Sequence, residues 1–345
     1  NYFKLFIAKF LNHLNSDGVA TFIVQNSLLG DKTCTKIRRL IIDDNNLLSI
    51  ASFPERDNVH KRVFKSAKIS VCVVQISKKL NLNNKFELQV WKDRDKISGF
   101  VSEVDKKILK KNIYYRVPVI DKSGLDIYIK ILNNPKVREA KEIADTFQGE
   151  VNITFHKKYF SEKKNDKFKG IFLKGANIQS YYTTKEVSQG KEEFLNVNSF
   201  LRDNKPARSN AYKFERIAMQ QITGVNEKFR IKSSIIKKDN FLGNSGNFMI
   251  IKSSEFTNQE IVVLLNSKLI NWYFKIFSTN SHVNTYEIDI LPILKFSKIN
   301  KKKIEKIFKE LNKDNFSNFI NILNDIVYET YEINEKEIKY INSQF

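Results

Sequence analysis

The side chains able to act as nucleophiles or metal ligands are few and far apart. Cys34 and Cys72 are the two cysteines, and His13, His60, His156 and His282 the four histidines, in a chain of 345 residues. Neither cysteine stands in a CxxC pair, and no histidine has an HxxxH partner, the spacings that bring two ligands to one face of a turn or helix. A disulfide framework and a metal site are therefore not expected, and the cysteines read as small, reduced apolar side chains. Nuclease chemistry fares no better, because no D…ExK arrangement on adjacent strands and no HNH-like histidine cluster is read. The 11 glycines form no GxG turn after a strand, and the 5 prolines include no Pro-Pro pair.

Charge is the strongest remaining signal. The chain carries 59 Lys and Arg against 38 Asp and Glu, a net charge of +21 with a pI near 9.6. Such an excess favours a polyanionic partner, nucleic acid being the commonest. Its richness in Lys, Asn, Ile and Phe is also what AT-rich coding produces, so composition alone leaves both explanations open. No apolar run reaches the roughly 18–20 residues of a membrane span. No signal peptide opens the chain and no long basic amphipathic helix suggests a membrane surface. The Lys301-Lys302-Lys303 run reads as a solvated helix face.

The elements that must position any site follow from periodicity. Tyr2, Phe3, Phe6, Ile7, Phe10, Leu11 and Leu14 recur at helical spacing. After the Asn15–Gly18 turn, Val19–Gln25 is a continuous apolar run, the pattern of a strand buried on both faces of a mainly parallel sheet. Thr35–Ile42 reads as a helix, capped by Asp31 or Thr33, with Ile37, Leu40 and Ile41 on one face and Arg38 and Arg39 on another. Leu47–Phe53 and Ala67–Ile76 read as buried strands around a polar loop, Pro54 to Arg62. The alternation is doubly wound in character. Beyond residue 80 come strand-like runs at Phe86–Trp91 and Tyr114–Val119, with a helical piece near Glu103–Lys111. From 120 to 297 the predicted segments are short: strand-like Val151–Phe155, Gly170–Lys174, Phe229–Ser233 and Phe248–Lys252, and a clear helix, Asn258–Phe277. A helical pair, about 300–311 and 316–331, closes the chain.

Taken in order, these stretches resemble the adenine-N6 DNA methyltransferases of restriction–modification systems, in the TaqI-like and Eco57I-like branch that includes type IIG enzymes. Asn1–Phe10 is similar to the helix after their catalytic motif. Asp17-Gly-Val-Ala-Thr-Phe-Ile-Val-Gln-Asn-Ser-Leu-Leu29 resembles their "G-G-x-hydrophobic-F-hydrophobic-V-P-x-S-W/L-L" strand, with Gln25 in place of the usual Pro. Thr35–Ile42 resembles their "LR-x-x-L" helix, and Val63–Gln75 their "V/P-F-x-x-A-x-x-S/T" loop and closing strand. Ala144–Thr154 and Lys169–Ile178 look like the "G-hydrophobic-x-T" and "L-x-G-x-x-I" elements of a target-recognition domain. Leu264–Ile270, followed by Tyr286 to Leu291-Pro292-Ile293, resembles that domain's "LNS-x-L…LP-hydrophobic" ending.

The resemblance implies an α/β then α+β fold. Residues 1–80 would be the C-terminal half of a Rossmann-like methyltransferase domain, and 81–119 a connecting segment. Residues 120–297 would be a mixed α/β target-recognition domain, and 298–345 the terminal helices. It implies double-stranded DNA as partner, no membrane, a bacterial cytoplasmic setting, and S-adenosylmethionine as methyl donor. The cofactor's Gly-rich loop and the D/N-P-P-Y/F tetrapeptide are expected upstream of Asn1, so catalytic, cofactor-binding and metal residues are expected to be none in this chain. Phe64 stands at the motif position of an aromatic that stacks on the flipped adenine; as a loop residue it would otherwise tuck against the sheet edge. Candidate DNA contacts on loops beside the motifs are Lys174, Asn177, Lys205, Arg208, Asn280, His282 and Asn284, with Arg208 foremost. Arg and Lys suit guanine edges and phosphate, and Asn suits adenine. A half-domain would leave Val19–Val24 with an open edge, so reliable folding is expected of the second half alone.

Overall fold

The computed structural model describes the backbone of residues 2–79, 84–91, 93–95, 97–186, 191–204, 210–224, 227–278 and 280–345. The chain forms two compact units, residues 1–133 with 275–280, and residues 134–274 with 281–345.

In the first unit, helix α1 (Phe3–His13) buries Ile7 and Leu11, while Leu5, Phe6 and Phe10 face outward. Strand β1 (Val19–Gln25) corrects the expectation of two buried faces. Ala20 and Phe22 are buried, whereas Val19 and Ile23 are half exposed. The reason is position. The sheet order is β1-β3-β2-β4-β5, with β2 Asn46–Phe53, β3 Val71–Ser77, β4 Lys85–Trp91 and β5 Ile97–Asp105, so β1 is an edge strand. The sheet is also mixed. β3 runs antiparallel to both β1 and β2, β2 is parallel to β4, and β4 is antiparallel to β5.

Helix α2 (Thr35–Ile42) has its expected bounds, but Arg38 is not on a solvated face. Its guanidinium is buried and donates to the carbonyls of Leu28 (2.7 Å), Asp31 (2.9 Å) and Tyr114 (2.6 and 3.0 Å). Tyr114–Val119, expected as a strand, begins in a turn with Tyr115 in the left-handed region (φ 52°) and joins no strand; Tyr114 is held by the Arg38 side chain and Val119 N donates to Ile276 O at 3.1 Å. The helix α3 (Lys122–Asn133) was not anticipated, although Leu125, Tyr128 and Ile131 recur at helical spacing and are buried.

The second unit holds two four-stranded sheets. One has the order β12-β8-β9-β7, built from β7 Phe160–Ser161, β8 Gly170–Leu173, β9 Phe194–Leu195 and β12 Asn240–Leu242. The other has the order β11-β10-β13-β6, from β6 Ala144–Gln148, β10 Arg216–Gln220, β11 Ser233–Ile236 and β13 Gly246–Ile251. Two apolar clusters pack the unit, the first drawing on both sheets through Leu173 and Leu242. Ile178, Ala218, Ile236, Leu242 and Phe248 form one; Val151, Tyr159, Phe172, Phe200 and Phe241 form the other.

The expected helix 258–277 is two, α4 (Asn258–Asn266) and α5 (Lys268–Lys275), broken where Ser267 takes extended torsions. The break is built by side chains. Asn266 accepts from Ser233 N (2.9 Å) and donates to Ser233 O (2.8 Å), so its amide pairs with the backbone of β11. Asn271 does the same for Ile231, at 2.7 and 3.3 Å. Three helices, not two, end the chain: α6 (Lys298–Glu310), α7 (Phe316–Thr330) and α8 (Glu335–Asn342). The third carries a reciprocal cap between Asn334 and Glu337, a signature that was present in the sequence and went unread.

Candidate nucleic-acid interface

The polar loops of the second unit radiate from one turn, Leu242–Gly246, and the sequence dictates its tightness. A Cβ on Gly149 would lie 2.0 Å from Gly243 O, and one on Gly175 2.1 Å from Ser245 O, distances no side chain tolerates. Backbone crosses backbone at both places, as only glycine allows. Gly175 N donates to Ser245 Oγ (2.9 Å), Gln221 N to Ser245 O (3.0 Å) and Val283 N to Gln221 O (2.7 Å). Gln148 Nε2 donates to Asn244 O at 2.8 Å. A continuous set of hydrogen bonds thus joins the loops at 148, 175, 221, 244 and 283.

Beneath it lies a buried ion pair. Arg216 and Glu150 meet at 2.5 Å with both side chains sealed from solvent. Arg216 also donates to the carbonyls of Ala211 (3.0 Å) and Asn240 (3.3 Å), and Glu150 accepts from Leu242 N (3.2 Å). Burial pushes the Glu150 carboxyl upward, and Arg216 opposes that shift.

The sequence-derived candidates divide sharply. Lys174 pairs with Glu193 at 2.6 Å and donates to Lys191 O at 3.1 Å. Asn177 is buried, its oxygen accepting from Lys174 N (2.7 Å) and its nitrogen donating to Thr184 O (2.8 Å). Together they shape a cleft of about 430 Å³. His282 is exposed, on a segment bridged to Ile222. Asn284 caps a short helical turn through Glu287, at 2.8 Å between side chains. Asn280 is half-buried in the first unit. Lys205 and Arg208 lie outside the described residues.

Phe64 is exposed on the β2–β3 loop of the first unit. The loop holds itself in shape. Glu55 accepts from Asp57 N (2.8 Å) and Asn58 N (3.0 Å), and Arg62 donates to Arg56 O (3.3 Å) and to Lys65 O.

Two features escaped sequence reasoning. Lys167, Lys169, Lys237, Lys238 and Tyr212 line a cleft of about 500 Å³. The segment 151–174 holds seven lysines against two acids, which was the available signal. The second is the segment expected as a strand at Val151–Phe155. Only Val151 bridges, to Gly243; Asn152 to His156 is a closed turn. Asn152 Oδ1 accepts from Thr154 N (3.0 Å) and Phe155 N (3.2 Å), and His156 Nδ1 accepts from Asn152 N (3.1 Å). A side chain that caps its own backbone outcompetes strand pairing.

Lys301 likewise departs from the solvated reading. It pairs with the buried Glu260 at 2.9 Å and donates to Glu255 O at 2.6 Å, while Lys302 and Lys303 are exposed. Among the described residues no cluster of three metal-ligating side chains occurs, and no helix is long and apolar enough to cross a membrane.

Residues 1–114 match the N-6 DNA Methylase family, and residues 171–293 match the TaqI-like C-terminal specificity domain. No curated protein sequence matches. Among solved structures, the type IIL restriction-modification enzyme MmeI in complex with DNA is 11% identical with a TM-score of 0.55, covering 99% of this chain and 51% of its own. The type IIG restriction endonuclease BpuSI is 12% identical with a TM-score of 0.40, covering 95% and 49%. The chain thus spans about half the length of these relatives.

Proposed function

We propose that this chain, in which an N-6 DNA methylase segment runs into a TaqI-like specificity domain, is the DNA-binding and partly catalytic portion of a site-specific adenine-N6 DNA methyltransferase of a restriction–modification system. The observation that carries the reading is the occurrence of both family segments, in that order, in one chain. The order β1-β3-β2, with β3 antiparallel to its two neighbours, supports reading residues 1–80 as the closing half of a Rossmann-like methyltransferase sheet. In the same reading 81–119 connect, 120–297 recognise the target and 298–345 are terminal helices.

S-adenosylmethionine is the methyl donor the family implies, and one small cavity of the first unit does not have room for it. The cavity among Asn26, Leu29, Pro54, Val90, Val117 and Phe277 holds about 130 Å³, well below the roughly 300–1,000 Å³ of ligand pockets. The cofactor and the tetrapeptide that grips the amine belong, in this reading, to residues outside the chain.

Phe64 is the chain's own contribution at the reacting base. Flipping an adenine costs a few kcal/mol, and stacking on an aromatic recovers about 1–3 kcal/mol. A Phe held outward by a self-bonded loop suits that task. Phe64→Ala in the complete enzyme is expected to lower methylation and the 2-aminopurine flipping signal together; if both stay at wild-type levels, the role is lost.

Lys174 lines the cleft of about 430 Å³ and His282 is exposed; in this reading both meet base edges or phosphates, with Asn280, Lys205 and Arg208 as further contacts. Asn177 and Asn284 commit their amides to their own turns and so would position neighbours. Arg208→Ala is expected either to weaken binding to all sequences or to relax one base position; a variant that does neither is not at the interface.

A second reading is favoured by the absence of a GxG turn and a Pro-Pro pair: a specificity module that binds DNA without transferring methyl groups. Labelled S-adenosylmethionine assays separate the two. Gel shifts across a salt series separate both from a basic protein with no DNA role, whose binding would show no preferred sequence.

A further inference from the structure

We infer that Phe155 is a wedge that enters a base step of duplex DNA while Lys157 and Lys158 hold the flanking phosphates, a role that rests on the DNA-binding reading above. Phe155 is 79% exposed, the most exposed large apolar side chain of the second unit among the described residues. It takes no part in the neighbouring core, which includes Val151, Tyr159 and Phe200.

The turn that presents it is rigid. Asn152 caps it from below, His156 N closes it onto Asn152 O at 2.9 Å, and Ile153 N is tied to Asn244 Oδ1 at 3.4 Å. The His156 ring packs edge-on against Phe200 at 5.1 Å, which anchors the turn in the core. An aromatic held this way loses little conformational freedom on binding, so its contact area is available for affinity.

The surroundings select the partner. Thr154, Lys157 and Lys158, within three residues of Phe155 in sequence, are exposed, with Lys158 Nζ over the Tyr159 ring at 4.9 Å, and the lysine-rich 151–174 segment includes Lys167 and Lys169 of the neighbouring cleft. An apolar tip set among cations matches a stacked polyanion, in which apolar base faces lie between rows of phosphate. Apolar wedges of this kind unstack one step and kink the duplex.

The test uses the 345-residue protein and a duplex selected from a random pool by the wild type, with 2-aminopurine placed at successive positions. Phe155→Ala is expected to weaken binding about 10-fold or more, to lose the 2-aminopurine rise at one step and to straighten the duplex in an end-to-end energy-transfer assay. Phe155→Trp should restore all three. Lys157→Gln with Lys158→Gln should reduce the salt slope by about 2. Wild-type affinity, fluorescence and bend in Phe155→Ala would overturn the wedge alone, as would a loss that Phe155→Trp leaves unrepaired. A wild type that selects no sequence and binds no DNA would overturn the DNA-binding reading itself.

Discussion

Asn266 and Asn271 are each a buried amide paired in both directions with one backbone residue, Ser233 or Ile231. Removing the Asn266 amide strands the buried Ser233 N–H, worth about 1–3 kcal/mol, while Ser233 O keeps its bond from Tyr181 N at 2.8 Å. Asn266→Leu is therefore expected to destabilise the protein by about 1–3 kcal/mol in urea unfolding, and a change under 0.5 kcal/mol would remove the clamp from the account. The motif containing Asn266 was visible in the sequence, but its task was not, because the partner strand lies 33 residues away. Arg38 makes the same point. Periodicity set it on a face apart from Ile37, Leu40 and Ile41, and only the converging carbonyls of Leu28, Asp31 and Tyr114 show why it is buried. His156 adds a pH dependence. Burial lowers its pKa below the ordinary 6.5, and its Nδ1 must stay unprotonated to accept from Asn152 N. The unfolded state then binds more protons in acid, so this contribution is complete above about pH 6.5 and is lost as pH falls through the depressed value. The protection of the Thr154 and Phe155 amides, taken relative to intrinsic exchange at each pH, should fall as pH drops through the depressed His156 value, and His156→Gln should flatten that dependence.

At the scale of elements, the Glu150–Arg216 pair fixes the start of β10 against β12 through Ala211, Asn240 and Leu242. Breaking a buried pair from one side costs about 3–5 kcal/mol, whereas replacing both partners by apolar residues costs far less. Arg216→Met should thus be more damaging than Arg216→Met combined with Glu150→Leu, as measured by thermal unfolding; equal losses would mean the pair acts only through its volume. Apolar runs located β2, β4, β8 and β13 to within a residue or two, since burial dictates their composition. They failed at Val151–Phe155 and at Tyr114–Val119, where side-chain hydrogen bonds decide the backbone and apolar content does not. The break at Ser267 is equally local and equally hidden from periodicity.

For the whole molecule, the contrast lies in how apolar surface is distributed. Tyr2, Leu5, Phe6, Phe10, Val19 and Ile23 are all exposed on α1 and β1, whereas α4 is buried along nearly its whole length. The Val19–Val24 amides should therefore exchange faster than those of 248–277; equal protection would show that the first unit is as stable as the second. Mixed α/β architecture and the presence of two functional segments were legible because both follow from patterns within about ten residues. The arrangement of polar contacts was not, because it depends on backbone crossings between distant turns.

One such crossing governs how new variants of this protein can arise. Gly149 and Gly243 touch through main-chain atoms, although 94 residues separate them. Genetic exchange that brought a loop from another lineage to one side would succeed only if the donor also left that space empty. The constraint falls on position 149, whose Cβ would meet the main-chain oxygen of 243 whatever residue stands there, so an imported segment must carry glycine at 149.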